Sequence, residues 1–172
     1  MKGYSDVATL MAKDPGLSIY RRFAHLNAEN LLYLQAELVY LEKDLNEIIK
    51  RDEESGAPQR ENFPISLWHL KNSSDSEDDG LQWQKVLEIR ELLDKYNKAL
   101  IQQGQLLKFQ APQKNDFKLL EDWMKQEEIY FKFASEMTQW SSHEEDLIAL
   151  RTRHSGEDHF TRWVSRGCNL RI

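Results

Sequence analysis

The sequence predicts an all-α protein: a helical bundle built around two long antiparallel amphipathic helices, about 28–53 and 81–108, with several shorter helices. Three observations predict it. Only seven Gly and four Pro occur among 172 residues, too few for the tight turns an all-β chain needs. Leu31, Leu34, Leu38, Leu41, Leu45 and Ile48 alternate at spacings of three and four, which is one stripe of a helix. Val86, Leu93, Leu100 and Leu107, with Ile89, Tyr96 and Gln103, repeat every seven residues like the two core positions of a coiled coil.

The elements follow in chain order. Ser5 to Lys13 reads as a first helix, with Val7, Leu10 and Met11 on one side. Asp14-Pro15 is a helix-start signal, because Asp accepts from free amides and Pro suits the first helical position. A short helix through Ile19 and Phe23 is expected there. Asn27 is placed to cap the first long helix, and Ser55-Gly56 to end it, over a length of roughly 38 Å. Residues 54–80 read as a mobile acidic loop, in which the apolar Phe63, Ile65, Leu67, Trp68 and Leu70 pack on the core. Asp79-Gly80-Leu81-Gln82 has capping-box spacing and opens the second long helix, whose apolar face Trp83, Leu87 and Leu92 widen. Pro112 precedes a helix with Phe117, Leu120, Trp123 and Met124 on its apolar face. Ser141-Ser142-His143-Glu144 is a second capping box, before a short helix carrying Leu147, Ile148 and Leu150. Ser155 caps a last helix bearing Phe160, Trp163 and Val164. Residues 1–164 are read as one helical domain and 165–172 as a short tail.

Composition narrows the function classes. The net charge of −6 argues against nucleic acid as a partner, since binding it requires a positive footprint. The charge is uneven. Five Arg against Glu157 and Asp158 give residues 151–172 a local +3, which leaves −9 for the remainder. Cys168 is the single cysteine, so no intrachain disulfide forms and a reducing, cytoplasmic compartment is expected. No stretch reaches the ~18 consecutive apolar residues of a membrane span, and residues 1–15 have no signal-peptide core.

No catalytic, cofactor or metal site is read from the residues. His154, Asp158 and His159 have ligand-type side chains, but the two His are five apart, not the four a chelating helical pair uses. His143, Glu144, Glu145 and Asp146 are explained as first-turn residues complementing a helix dipole. The seven Gly are scattered and make no phosphate loop. Ser74 and Ser76 precede acidic residues and are candidate phosphorylation sites, where a phosphate would add charge ahead of the second long helix; an unmodified spacer is the alternative. Gln103 and Gly104 interrupt the second seam, and are read as lying at the bundle end, half in water.

Three stretches carry a resemblance. The first is Gly3-Tyr4, Leu10-Met11-Ala12 and Asp14-Pro15, running into Tyr20-Arg21-Arg22-Phe23, Leu26-Asn27-Ala28 and Asn30 to Leu38. The second is Glu88-Ile89-Arg90-Glu91 with Leu92, Tyr96, Ala99-Leu100 and Gln103, and the third Asp146 to Arg151. Together they resemble an uncharacterised fungal helical-domain family, domain of unknown function 6594, over roughly residues 3–164. The resemblance implies a fungal source and a helical domain that in relatives precedes two membrane-spanning helices. This chain ends at Ile172 with no such segments after Val164. The family brings no activity, so no residue gains a catalytic role.

The expected function is therefore a helical interaction module and not an enzyme: the cytosolic domain of a membrane-associated protein, in a form without its tether. A protein partner or a membrane-tethered relative is the expected ligand, with no small molecule and no cofactor. Two alternatives stand beside it. One is peripheral membrane binding through Phe160, Arg162, Trp163 and Arg166 of the basic aromatic C-terminal segment. The other is an enzyme with a dispersed site, drawing on His25, His69 or His143.

Overall fold

The stripe from Leu31 to Ile48 lies where its periodicity puts it. In the computed structural model, which describes residues 4–73, 80–125 and 138–152, one helix runs from Ala24 to Glu54. We label it α2. Leu31, Leu34, Leu38, Leu45 and Ile48 are half-buried and Leu41 is buried, while their neighbours are mostly exposed. At 31 residues the helix is about 46 Å long, longer than expected because it starts before Asn27. Gly56, at φ +63, supplies the left-handed residue after its end.

Two compact units divide the chain: residues 25–104, and residues 1–24 with 105–172. In the first, α2 pairs antiparallel with α4, Leu81–Leu106. Lys85 joins the two helices, its ammonium 3.5 Å from Asp44 and 2.8 Å from Glu88. The bond to Glu88 is the main reason its pKa is raised; partial burial opposes the rise and Asp44 adds to it. Between the two, residues 54–73 are not one loop. A 3-10 turn at Arg60–Asn62 leads to a short helix, α3, Leu67–Lys71, in which the Ser66 hydroxyl accepts from the His69 amide as an N-cap. Arg60 folds back on Asp52, 2.9 Å away. Asp52 falls on the inward stripe of α2, one turn beyond Ile48, so its buried carboxylate needs that cation.

In the second unit, α1 (Tyr4–Lys13) and α5 (Lys114–Met124) frame a core of Met11, Leu17, Ile19, Leu120, Met124 and Leu147. Phe117 and Trp123 pack against it, so the apolar face expected of α5 is the one buried. Two expected helices are strands instead. Asp14 does cap a turn, accepting from the Gly16 amide, but that turn is a 3-10 turn over Pro15–Leu17. Ser18 leaves helical geometry at ψ 71, and β1, Ile19–Arg21, follows. The Ser141–Glu144 box likewise starts no α-helix. The Ser141 hydroxyl points backwards to the Thr138 carbonyl. A 3-10 turn over Glu144–Asp146 runs straight into β2, Leu147–Ala149. The strands pair antiparallel, Ile19 with Ala149 and Arg21 with Leu147, and Gln110 bridges to Ala149 on the other side. Burial decides this choice: all three β2 residues are buried, and a helix there would turn part of Leu147-Ile148-Ala149 outward.

Candidate interaction surface

The second seam is only half as expected. Ile89, Tyr96 and Gln103 face inward, but their partners on α4 are Leu92, Ala99 and Leu106, not Leu93, Leu100 and Leu107. Leu92 is 8% exposed, whereas Leu93, Leu100 and Leu107 are 42%, 47% and 62% exposed. The helix is turned by about 50°, half of one residue's rotation, from the expected setting. Leu93 and Leu100, one heptad apart, are thereby left on the flank of the helix pair, and Leu107 lies just past the end of α4. Gln103 is half-buried, and its side-chain oxygen is shielded from solvent with no hydrogen-bond partner. Gly104 beside it faces open space.

Two more apolar groups lie open in the same unit. On α2, Leu26, Leu32, Tyr33, Val39 and Tyr40 are all more than half exposed. At the α3 tip, Phe63 and Leu70 are buried as expected, but Ile65, Leu67 and Trp68 are not: they are 80%, 60% and 68% exposed. A five-residue helix has too few turns to bury more than one side. Trp83, the neighbouring aromatic, is held from within by Lys71 and Arg90, whose charges lie 5.7 and 5.4 Å from its ring centre. Single exposed apolar residues are ordinary, whereas continuous patches of several hundred Å2 mark interaction sites.

The polar centre of the other unit is Asp146, which the sequence assigned to a helix dipole. Its carboxylate receives the Ala24 amide at 3.0 Å and the Phe23 amide at 3.2 Å. Arg21 donates to it at 3.2 Å and Arg22 lies at 3.6 Å. It thus caps the start of α2 from 122 residues away. Phe23 adopts φ +50, a left-handed conformation that turns its amide toward the carboxylate, and Arg21 stacks on its ring at 4.6 Å. Burial alone would push the Asp146 carboxyl up; the Ala24 amide, then Arg21 and the Phe23 amide, outweigh it and hold the group below the usual carboxylate range. Every partner is a main-chain amide or a structural Arg, so the arrangement is a clasp.

Of the residues considered for chemistry, His25, His69 and His143 are all exposed. Among the described residues no group of three or more His, Cys, Asp or Glu is placed to hold a metal ion. Nor is any helix among them long and apolar enough to cross a membrane. Ser74, Ser76, His154, Asp158, His159, Phe160, Arg162, Trp163 and Arg166 lie outside the described residues, as do the last expected helix and its Ser155 cap.

The model of the Family of unknown function (DUF6594) matches residues 4–171. The chain belongs to the DUF6594 family. No curated protein and no solved structure shows a significant match. The resemblance carried by the Tyr4–Leu38 stretch thus extends over nearly the whole chain.

Proposed function

We propose that this DUF6594 chain is a helical interaction module that acts by binding a protein partner rather than by catalysis. The observation that carries the reading is the column of Leu93 and Leu100, one heptad apart and open on the flank of α4, beside the buried Leu92. A helix pair with one such column presents the groove into which a third amphipathic helix packs. The natural occupant is a helix from a protein partner or from a membrane-tethered relative. We place the module at the cytosolic face of a fungal membrane; the resemblance of Tyr4 to Leu38 to the fungal family supports that location.

Substitution of Leu93 and Leu100 by Gln tests the reading. Cross-linking of the tagged chain in its own cells should capture a defined set of proteins, and the double variant should lose them while keeping its helical content. An unchanged set would refute the binding role of this column. Flotation with anionic vesicles at low salt separates this reading from membrane binding by the basic C-terminal segment, which predicts that the wild-type chain floats.

A further inference from the structure

We propose that the outward face of α2 is a self-association surface, on which a second copy of the chain docks antiparallel about a two-fold axis through Ala36. The proposal rests on the interaction reading and assigns it a second, separate surface. Opposite its buried stripe, α2 exposes Leu32, Tyr33, Val39 and Tyr40, with Leu26 beside them. On a 100° helical wheel these residues surround Ala36, which is also exposed. The order is symmetric. In an antiparallel pair centred on Ala36, Leu32 meets Tyr40 and Tyr33 meets Val39. The small side chain at the centre lets two helices approach closely where they cross.

The charges follow the same symmetry. Glu29 lies seven residues before Ala36 and Lys43 seven after, so each Glu29 meets the partner copy's Lys43. His25 and Glu47, eleven residues either side, are matched in the same way. An isologous interface requires this property: one patch that complements itself after a half-turn. A parallel pair would instead place Glu29 on Glu29 and Lys43 on Lys43. Within one copy the ion pairs of these side chains are loose, His25 with Glu29 at 3.9 Å and Lys43 with Glu47 at 3.8 Å, and exchange at little cost, while Glu29 also accepts a hydrogen bond from the Tyr33 hydroxyl at 2.9 Å. With Tyr33 61% and Tyr40 71% exposed, the patch offers on the order of 400 Å2 of apolar surface per copy. Two copies with their charged rims then bury roughly 1,000 Å2, the size of a transient assembly.

Sedimentation of the full chain over a range of concentrations tests this, using three variants. Glu29→Lys alone and Lys43→Glu alone should each weaken the dimer about tenfold. The double exchange should restore it, because opposite charges then face each other again with their positions swapped. The two positions lie fourteen residues apart on one helix and do not touch, so effects on folding cannot produce that rescue. Melting curves confirm that each variant is folded. A wild-type chain that stays monomeric throughout overturns the proposal, as does a dimer in which the double exchange is no tighter than the single changes. Either failure leaves the Leu93 and Leu100 column, and the partners lost with it, standing as a separate result.

Discussion

Replacing Asp146 should loosen the start of α2. The carboxylate accepts two main-chain amides, those of Phe23 and Ala24, and neutralises Arg21 and Arg22. Loss of an N-cap costs about 1 kcal/mol. Leaving a half-buried Arg without its carboxylate adds about 1–2 kcal/mol. Asp146→Ala should therefore lose about 2–3 kcal/mol, which for a chain of this size lowers the melting temperature by roughly 4–12 °C. Asp146→Asn, which keeps one acceptor oxygen, should lose about half as much. Acid should remove the difference between wild type and the Asn variant. The native carboxyl is held below the usual range, so its contribution is complete above the unfolded value of about 4 and fades as pH falls through the lower native value. The assay is thermal and urea denaturation at neutral and acid pH, with hydrogen exchange read at residues 22–28. A variant melting with wild type, or unchanged exchange in the first turn of α2, would refute the capping role.

Three further outcomes follow from packing and backbone geometry. Leu92→Ala should cost about 2–4 kcal/mol as a core truncation and Leu93→Ala under about 1 kcal/mol; urea melts giving the reverse order would contradict the rotated setting of α4. Gly104→Ala adds a methyl group to open space inside a helix and should stabilise by about 0.5–1 kcal/mol, seen as a higher urea midpoint. Gly56→Ala forces a side chain onto a φ of +63 and should cost about 1 kcal/mol in the same measurement.

The parts legible in the sequence are those fixed by long periodicity. The α2 stripe spans six residues at alternating spacings, and no other helix rotation buries them together. Along α4 and at its end, apolar residues come in adjacent pairs: Leu92-Leu93, Ala99-Leu100 and Leu106-Leu107. Either member of each pair completes a heptad with Ile89, Tyr96 and Gln103. The heptad drawn through Leu93, Leu100 and Leu107 follows the members that lie outside. The partner helix settles the choice, and periodicity carries no information about it. Strands of three residues are too short to show alternation, and their pairing joins segments over a hundred residues apart. Asp146 was hidden for the same reason: its neighbours Glu144 and Glu145 make it look like one more acid at a helix start, whereas its partners lie at the other end of the sequence. Only the position of Arg21-Arg22, next to the beginning of a long helix, hinted that an acid was wanted there.

The ambiguity on α4 and the surface proposed for binding have one physical origin. A helix that packs against a single neighbour needs one apolar stripe, and a second stripe in water is costly to solubility. Both long helices carry more than that. α2 adds Leu32, Tyr33, Val39 and Tyr40 behind its buried stripe, and α4 adds Leu87, Leu93, Leu100 and Ile101 beside its own. Part of this surplus is ordered: Leu93 and Leu100 are one heptad apart on α4, and the four α2 residues are symmetric about Ala36. On α2 it fades toward the end, where Glu47, Lys50, Glu53 and Glu54 are exposed. The apolar surplus therefore covers the first half of the helix and stops, as a bounded contact surface does. Two helices with such surfaces have unfilled positions on more than one side, and these are the positions that the proposed partner helix and the proposed second copy would occupy, by the same packing that joins α2 to α4.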